Sequence, residues 1–136
     1  MEKNSTSGST TNLDLVATWL RDCANNHKHC HHQPQLASIL PYRVLDLGTG
    51  DSPQKIKLSV GEHRIGSYAA LSYCWGKSGS QCNHLTLKNM EQRKQFVDRS
   101  TLPKTFTDAI VVCRHLGIRY LWIDSLCIVQ DCKTDW

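Results

Sequence analysis

The sequence predicts an α/β protein built on a parallel sheet with crossover helices. Two apolar stretches point there, Tyr68-Ala-Ala-Leu-Ser-Tyr-Cys-Trp75 and Ile118-Arg-Tyr-Leu-Trp-Ile123, each ending abruptly in small or polar residues. The third observation lies between them: Phe106, Ala109, Ile110, Cys113 and Leu116 recur at helical spacing. Strand, helix, strand is the order of a crossover that joins parallel strands.

The elements are taken in chain order. Residues 1–12 are polar and are expected to form a disordered tail. Residues 13–67 are read as a helix plus a hairpin preceding the domain, which then occupies residues 68–136. The helix spans about Asp14 to Ala24, with Val16, Trp19, Leu20 and Cys23 at helical spacing and Asn12 or Asp14 as its cap. His27 to Gln35 is polar and His-rich, with Pro34 and Pro41 as chain breaks. Arg43–Leu47 and Ile56–Val60 read as two strands joined by the turn Gly48-Thr-Gly-Asp-Ser-Pro53. Tyr68–Trp75 is a core strand, and Gly76-Lys-Ser-Gly-Ser80 is a connector that lacks phosphate-loop spacing. A polar helix is expected over about Thr86–Val97. The next helix opens at Pro103 or Lys104, where a missing N–H costs nothing. It ends at His115 and Gly117, a basic last turn followed by a left-handed stop.

The bulk numbers exclude several classes. The 136 residues suit one domain or part of one, 40% are hydrophobic, and the net charge of +4 comes from basic residues scattered along the chain. A nucleic-acid surface needs clustered charge, so none is expected. No run reaches the ~20 apolar residues of a membrane helix, and the N-terminus lacks the apolar centre of a signal peptide. The expected location is intracellular, cytoplasmic, with the seven cysteines reduced. Cys74, Cys113 and Cys127 sit in apolar patterns and read as small buried hydrophobes.

Ligands in open α/β sheets bind beyond the carboxyl ends of the strands. Parallel pairing brings Ser72, Tyr73, Trp75 and Gly76 from the first strand to the same edge as Asp124, Ser125 and Cys127 from the second. These seven are the ligand-site candidates. Asp124 is also the candidate catalytic acid or base, because a carboxylate directly after an apolar strand is costly when buried and unpaired. Its alternative roles are a helix cap for Leu126 onward, or a partner for Arg119 or Arg43. Gln130, Asp131 and Asp135 come next; a solvated surface turn is the reading adopted for Asp135. Separately, Cys23, His27 and Cys30 are zinc-competent. Cys23 and Cys30 lie about 10 Å apart along an unbroken helix, so a shared zinc requires the helix to break near Asn25-Asn26. The competing reading packs Cys23 under the helix and leaves the histidines solvated.

The block Tyr68-Ala-Ala-Leu-Ser-Tyr-Cys-Trp-Gly76 resembles the heterokaryon-incompatibility (HET) domain of filamentous fungi. A second block, Leu102-Pro103, Asp108-Ala109-Ile110, Leu116-Gly117, Tyr120-Leu-Trp-Ile-Asp-Ser-Leu-Cys-Ile128 and Gln130-Asp131, is similar to the same family in the same order. Upstream, Trp19-Leu20, Cys23, His27, Cys30 and Pro41-x-Arg43-x-Leu45-Asp46 look like the segment that often precedes this domain.

The resemblance implies a TIR-like, flavodoxin-like fold. It also implies a role in non-self recognition that triggers programmed cell death, with signalling proteins as partners. Some TIR domains hydrolyse NAD with a site glutamate, which makes NAD a candidate substrate, but Glu2, Glu62 and Glu91 stand at no strand end here. The family domain continues beyond an Asp-Trp like Asp135-Trp136. The chain is therefore expected to hold the first part of the domain, with an unpaired sheet edge, an uncovered apolar face and a tendency to self-associate.

Overall fold

A computed structural model describes residues 6–28, 38–49, 55–76 and 84–136. Its elements are α1 (Thr10–Asn26), β1 (Arg43–Asp46), β2 (Lys57–Val60), β3 (Tyr68–Ala70), α2 (Met90–Gln95), α3 (Lys104–His115), β4 (Tyr120–Trp122) and α4 (Asp124–Cys127), with 3-10 turns at Arg99–Thr101 and Lys133–Asp135.

The strands form one four-stranded sheet in the order β2-β1-β4-β3. The α/β class is as expected, and so are the parallel β3–β4 pair and the antiparallel β1–β2 hairpin. The parallel sheet is borne out only in part, at the β3–β4 pair. β1 pairs antiparallel with β4, with Leu45 opposite Leu121 and Asp46 opposite Tyr120, so the hairpin joins the crossover unit in one mixed sheet.

Register explains the core. Leu58, Leu45, Leu121 and Ala69 are cross-strand neighbours in a row and therefore share one face. The leucines are 1–2% exposed and pack in one cluster with Phe106, Ile110 and Cys113 of α3. Residues one position along face the other way. There Asp46 is buried and accepts from Arg119 Nε and Nη2, at 2.8 Å each, and from the Gly48 amide at 3.0 Å. The paired guanidinium holds the Asp46 carboxyl below its usual range, against the opposing effect of burial. Arg64 ties the far end of the hairpin, donating to Ser59 Oγ and to the carbonyls of Pro41, Tyr42, Ser59 and Gly61.

Several boundaries differ from expectation. Helix α1 starts at Thr10, because Ser9 rather than Asn12 or Asp14 accepts the cap bond, from Asn12 N. Only Leu13 of α1 is buried, and Trp19 is 62% exposed. The helix rests on α3, where Asp14 meets His115 at 2.8 Å. Helix α2 is one short piece because Thr86 and Asn89 first close a side-chain turn, Thr86 N donating to Asn89 Oδ1. Helix α3 begins at Lys104 and ends before Gly117, whose φ of 71° is the left-handed stop that glycine permits. The strand expected over Tyr68–Trp75 keeps ladder geometry only to Ala70, with Leu71 N still donating to Trp122 O.

Candidate functional site

Beyond the carboxyl ends of β3 and β4 the chain leaves the ladder on both strands, which frees two segments to meet through side chains. Trp75 Nε1 donates to Asp124 Oδ2 at 2.9 Å, and Tyr73 Oη donates to Ser125 Oγ at 2.9 Å. Alternation explains the pairing: Tyr73 and Trp75 lie on one side of the segment and stack nearly parallel, 6.3 Å between centroids and 6° between planes. Phe106 of α3 meets Tyr73 edge-on at 5.0 Å, and His84 stacks on Trp75 at 5.2 Å. Four rings thus run from the core to the surface.

Asp124 begins α4 and is occupied on both oxygens. Oδ1 accepts from the Ser125 amide at 2.7 Å while Oδ2 holds the indole. The capping role considered for it is not borne out: Ile123 is the N-cap of α4 and the helix has no side-chain cap bond, while Asp124 holds the adjacent amide and an indole that sequence reasoning did not identify as its partner. Neither arginine reaches it: Arg119 pairs with Asp46, and Arg43 pairs with Asp135. Burial pushes the Tyr73 phenol up, the Ser125 hydrogen bond opposes this, and the Asp124 charge adds to it. Neutral at ordinary pH, the phenol acts as a hydrogen-bond donor.

The other candidates divide. Ser125 is buried beside Tyr73, and its carbonyl accepts from Leu85 N at 2.8 Å. Cys127 is 2% exposed, and burial pushes its thiol up to about 12, so it lies under the edge and not on it. Ser72 is exposed and has no hydrogen bond among the described residues. Gly76 is exposed with φ 75°, the geometry of a tight turn. Cys113 is buried as expected, but Cys74 is exposed, because alternation turns it away from the side that holds Tyr73 and Trp75.

Asp135 corrects the reading of a solvated turn. It accepts from Arg43 Nη1 at 2.9 Å and from Val129 N at 2.6 Å, while Arg43 Nη1 also donates to the Cys127 carbonyl. Gln130 Nε2 donates to the carbonyls of Ile128 and Asp124, and Asp131 Oδ1 accepts from Leu87 N. The segment after α4 is thus bound to the sheet by its side chains. His84 was missed altogether; an isolated histidine beside a polar connector carries no sequence signal of its stacking. In the zinc set, His27 is the C-cap residue of α1, its amide donating to Cys23 O at 3.3 Å. The helix does end at Asn26, and Cys30 lies outside the described residues.

Fold and site define an α/β module whose two parallel strand ends are cross-linked by side chains into one surface. A family model described as heterokaryon incompatibility protein (HET) matches residues 68–136, from the start of β3 to the end of the chain. The chain belongs to the heterokaryon incompatibility family. No curated protein and no solved structure matches it. Among the described residues no helix is long and apolar enough to cross a membrane.

Proposed function

We propose that the chain acts in fungal non-self recognition as a signalling module that leads to programmed cell death through protein contacts. One observation carries this reading. Both oxygens of Asp124 are taken by internal N–H donors, and the neutral Tyr73 phenol bonds to Ser125. The strand edge is thereby a fixed joint that displays Ser72, Cys74 and Gly76 outward. Partners would dock there or along the outer edge of β3, which has no strand neighbour among the described residues.

The test is expression in hyphae of a compatible fungal strain. Death of expressing compartments is expected, and Trp75→Ala should abolish it while the protein still accumulates. Survival of compartments holding the unaltered full-length protein would refute the proposal. The second reading, a TIR-like NAD or nucleotide hydrolase, is favoured by the aromatic ladder and carboxylate at the carboxyl ends of parallel strands. Incubating NAD with the full-length protein and with Asp124→Ala separates the two. Turnover lost in the variant would favour the hydrolase, and absence of turnover favours the signalling module.

A further inference from the structure

The opposite edge of the sheet, at the carboxyl end of β1 and the amino end of β4, holds two adjoining cavities. The first has about 170 Å³ and is lined by Gly48, Thr49, Arg114 and Arg119. The second has about 220 Å³ and is lined by Lys55, Phe96, Asp98, Arg99 and Arg114. Arg114 belongs to both walls. Basic residues that are scattered in sequence are here gathered by the β1–β4 pairing and by α3.

These cations differ from ordinary solvated ones. Arg119 is fixed by its bidentate bond to buried Asp46, and Arg114 Nη2 donates to Leu47 O at 3.1 Å. Two immobilised guanidinium planes beside one concavity have little rotamer freedom left to lose on binding an anion. The second cavity has a different chemistry. Phe96 is 41% exposed, the cavity wall includes Ile56 and Val97, and Val97 N donates to Ile56 O at 2.7 Å, pinning that wall. Asp98, kept ionised by its Ser100 hydrogen bonds, offers an acceptor to hydroxyl or amine groups at this end.

We infer that this edge binds a small phosphate ester carrying a planar aromatic ring, of the 5′-mononucleotide class, with the phosphate between Arg114 and Arg119 and the ring against Phe96. The site lies at the other end of β4 from Asp124 and does not depend on what the Asp124 edge does.

Titration calorimetry on the full chain with AMP, inorganic phosphate and adenosine tests this. AMP should bind saturably and at least about tenfold more tightly than either fragment. Stacking of a base on an aromatic side chain is commonly worth 1–3 kcal/mol, so Phe96→Ala should weaken AMP about tenfold and leave phosphate unchanged. Arg114→Gln should weaken both, and where that variant does not fold, a fall in the affinity of both AMP and phosphate with rising salt reads the same electrostatic arm. AMP binding no tighter than phosphate, or unchanged by Phe96→Ala, would overturn the inference. So would the absence of saturation at millimolar AMP.

Discussion

Replacing Trp75 by Phe keeps the ring that stacks between Tyr73 and His84 and removes the one N–H that reaches Asp124 Oδ2. A hydrogen bond to a charged group contributes ~1.5–3 kcal/mol when solvent is excluded. Asp124 is half-buried, so water takes over part of the lost bond and the net coupling should fall to about 1 kcal/mol. Asp124→Ala costs more by itself, because it also strips the bond to the Ser125 amide at the start of α4. A double-mutant cycle cancels that second loss. Urea unfolding of the two single variants and the double variant, followed by far-UV circular dichroism, measures the coupling directly. The expected interaction energy is about 1 kcal/mol. Additivity within about 0.3 kcal/mol would mean that the two strand ends are not joined through this bond. The rigid joint on which the signalling proposal stands would then be gone.

Other outcomes concern groups elsewhere. Arg119→Ala leaves Asp46 with the Gly48 amide as its remaining hydrogen bond; breaking a buried pair costs ~3–5 kcal/mol, and since Arg119 is itself 45% exposed the expected loss at pH 7 is about 2 kcal/mol. The Asp46 pKa is depressed in the folded state, so its stabilisation is present above the unfolded carboxylate range and is lost as pH falls through the folded value. The cost of Arg119→Ala should therefore shrink toward zero in acid, and an equal cost at pH 7 and at the lowest pH that keeps the protein folded would contradict the ion-pair account. A maleimide at pH 7.5 should label exposed Cys74 and spare Cys113 and Cys127, whose thiols are raised by burial, until denaturant is added; rapid native labelling of Cys127 would refute its placement. A peptide of residues 68–136 alone should show no cooperative melting, and a sharp transition would show that β4 does not need β1.

Much of the architecture was legible because it rests on local pattern. The hairpin, helix α3 with its glycine stop, and the parallel β3–β4 crossover all come from periodicity and punctuation that neighbouring residues carry themselves. The juxtaposition of Tyr73 and Trp75 with Asp124 and Ser125 followed from parallel pairing. The donors on Asp124 did not, because an indole that reaches across the edge is set by side-chain geometry. The β1–β4 pairing was not legible either. Residues 43–47 show a strand, but which neighbour a strand takes is decided by Leu45 and Asp46 finding Leu121 and Arg119. Asp135 was misread for the same reason: its partner Arg43 stands 92 positions away.

The place of β1 in the sheet also bears on how the protein folds. β1, one of the two strands flanked on both sides by partners, comes from outside the segment that matches the family, and the ion pair that fastens it to Arg119 spans 73 positions of chain. Contacts this distant are slow to form, because loop closure must precede the gain from pairing. On a ribosome, the hairpin would emerge first and wait, one flank unpaired, for β4 to arrive. The interval is a window for capture by a chaperone, or by another chain's edge strand. The speed at which residues 61–119 are synthesised and compacted would then set how much of this protein reaches its own sheet.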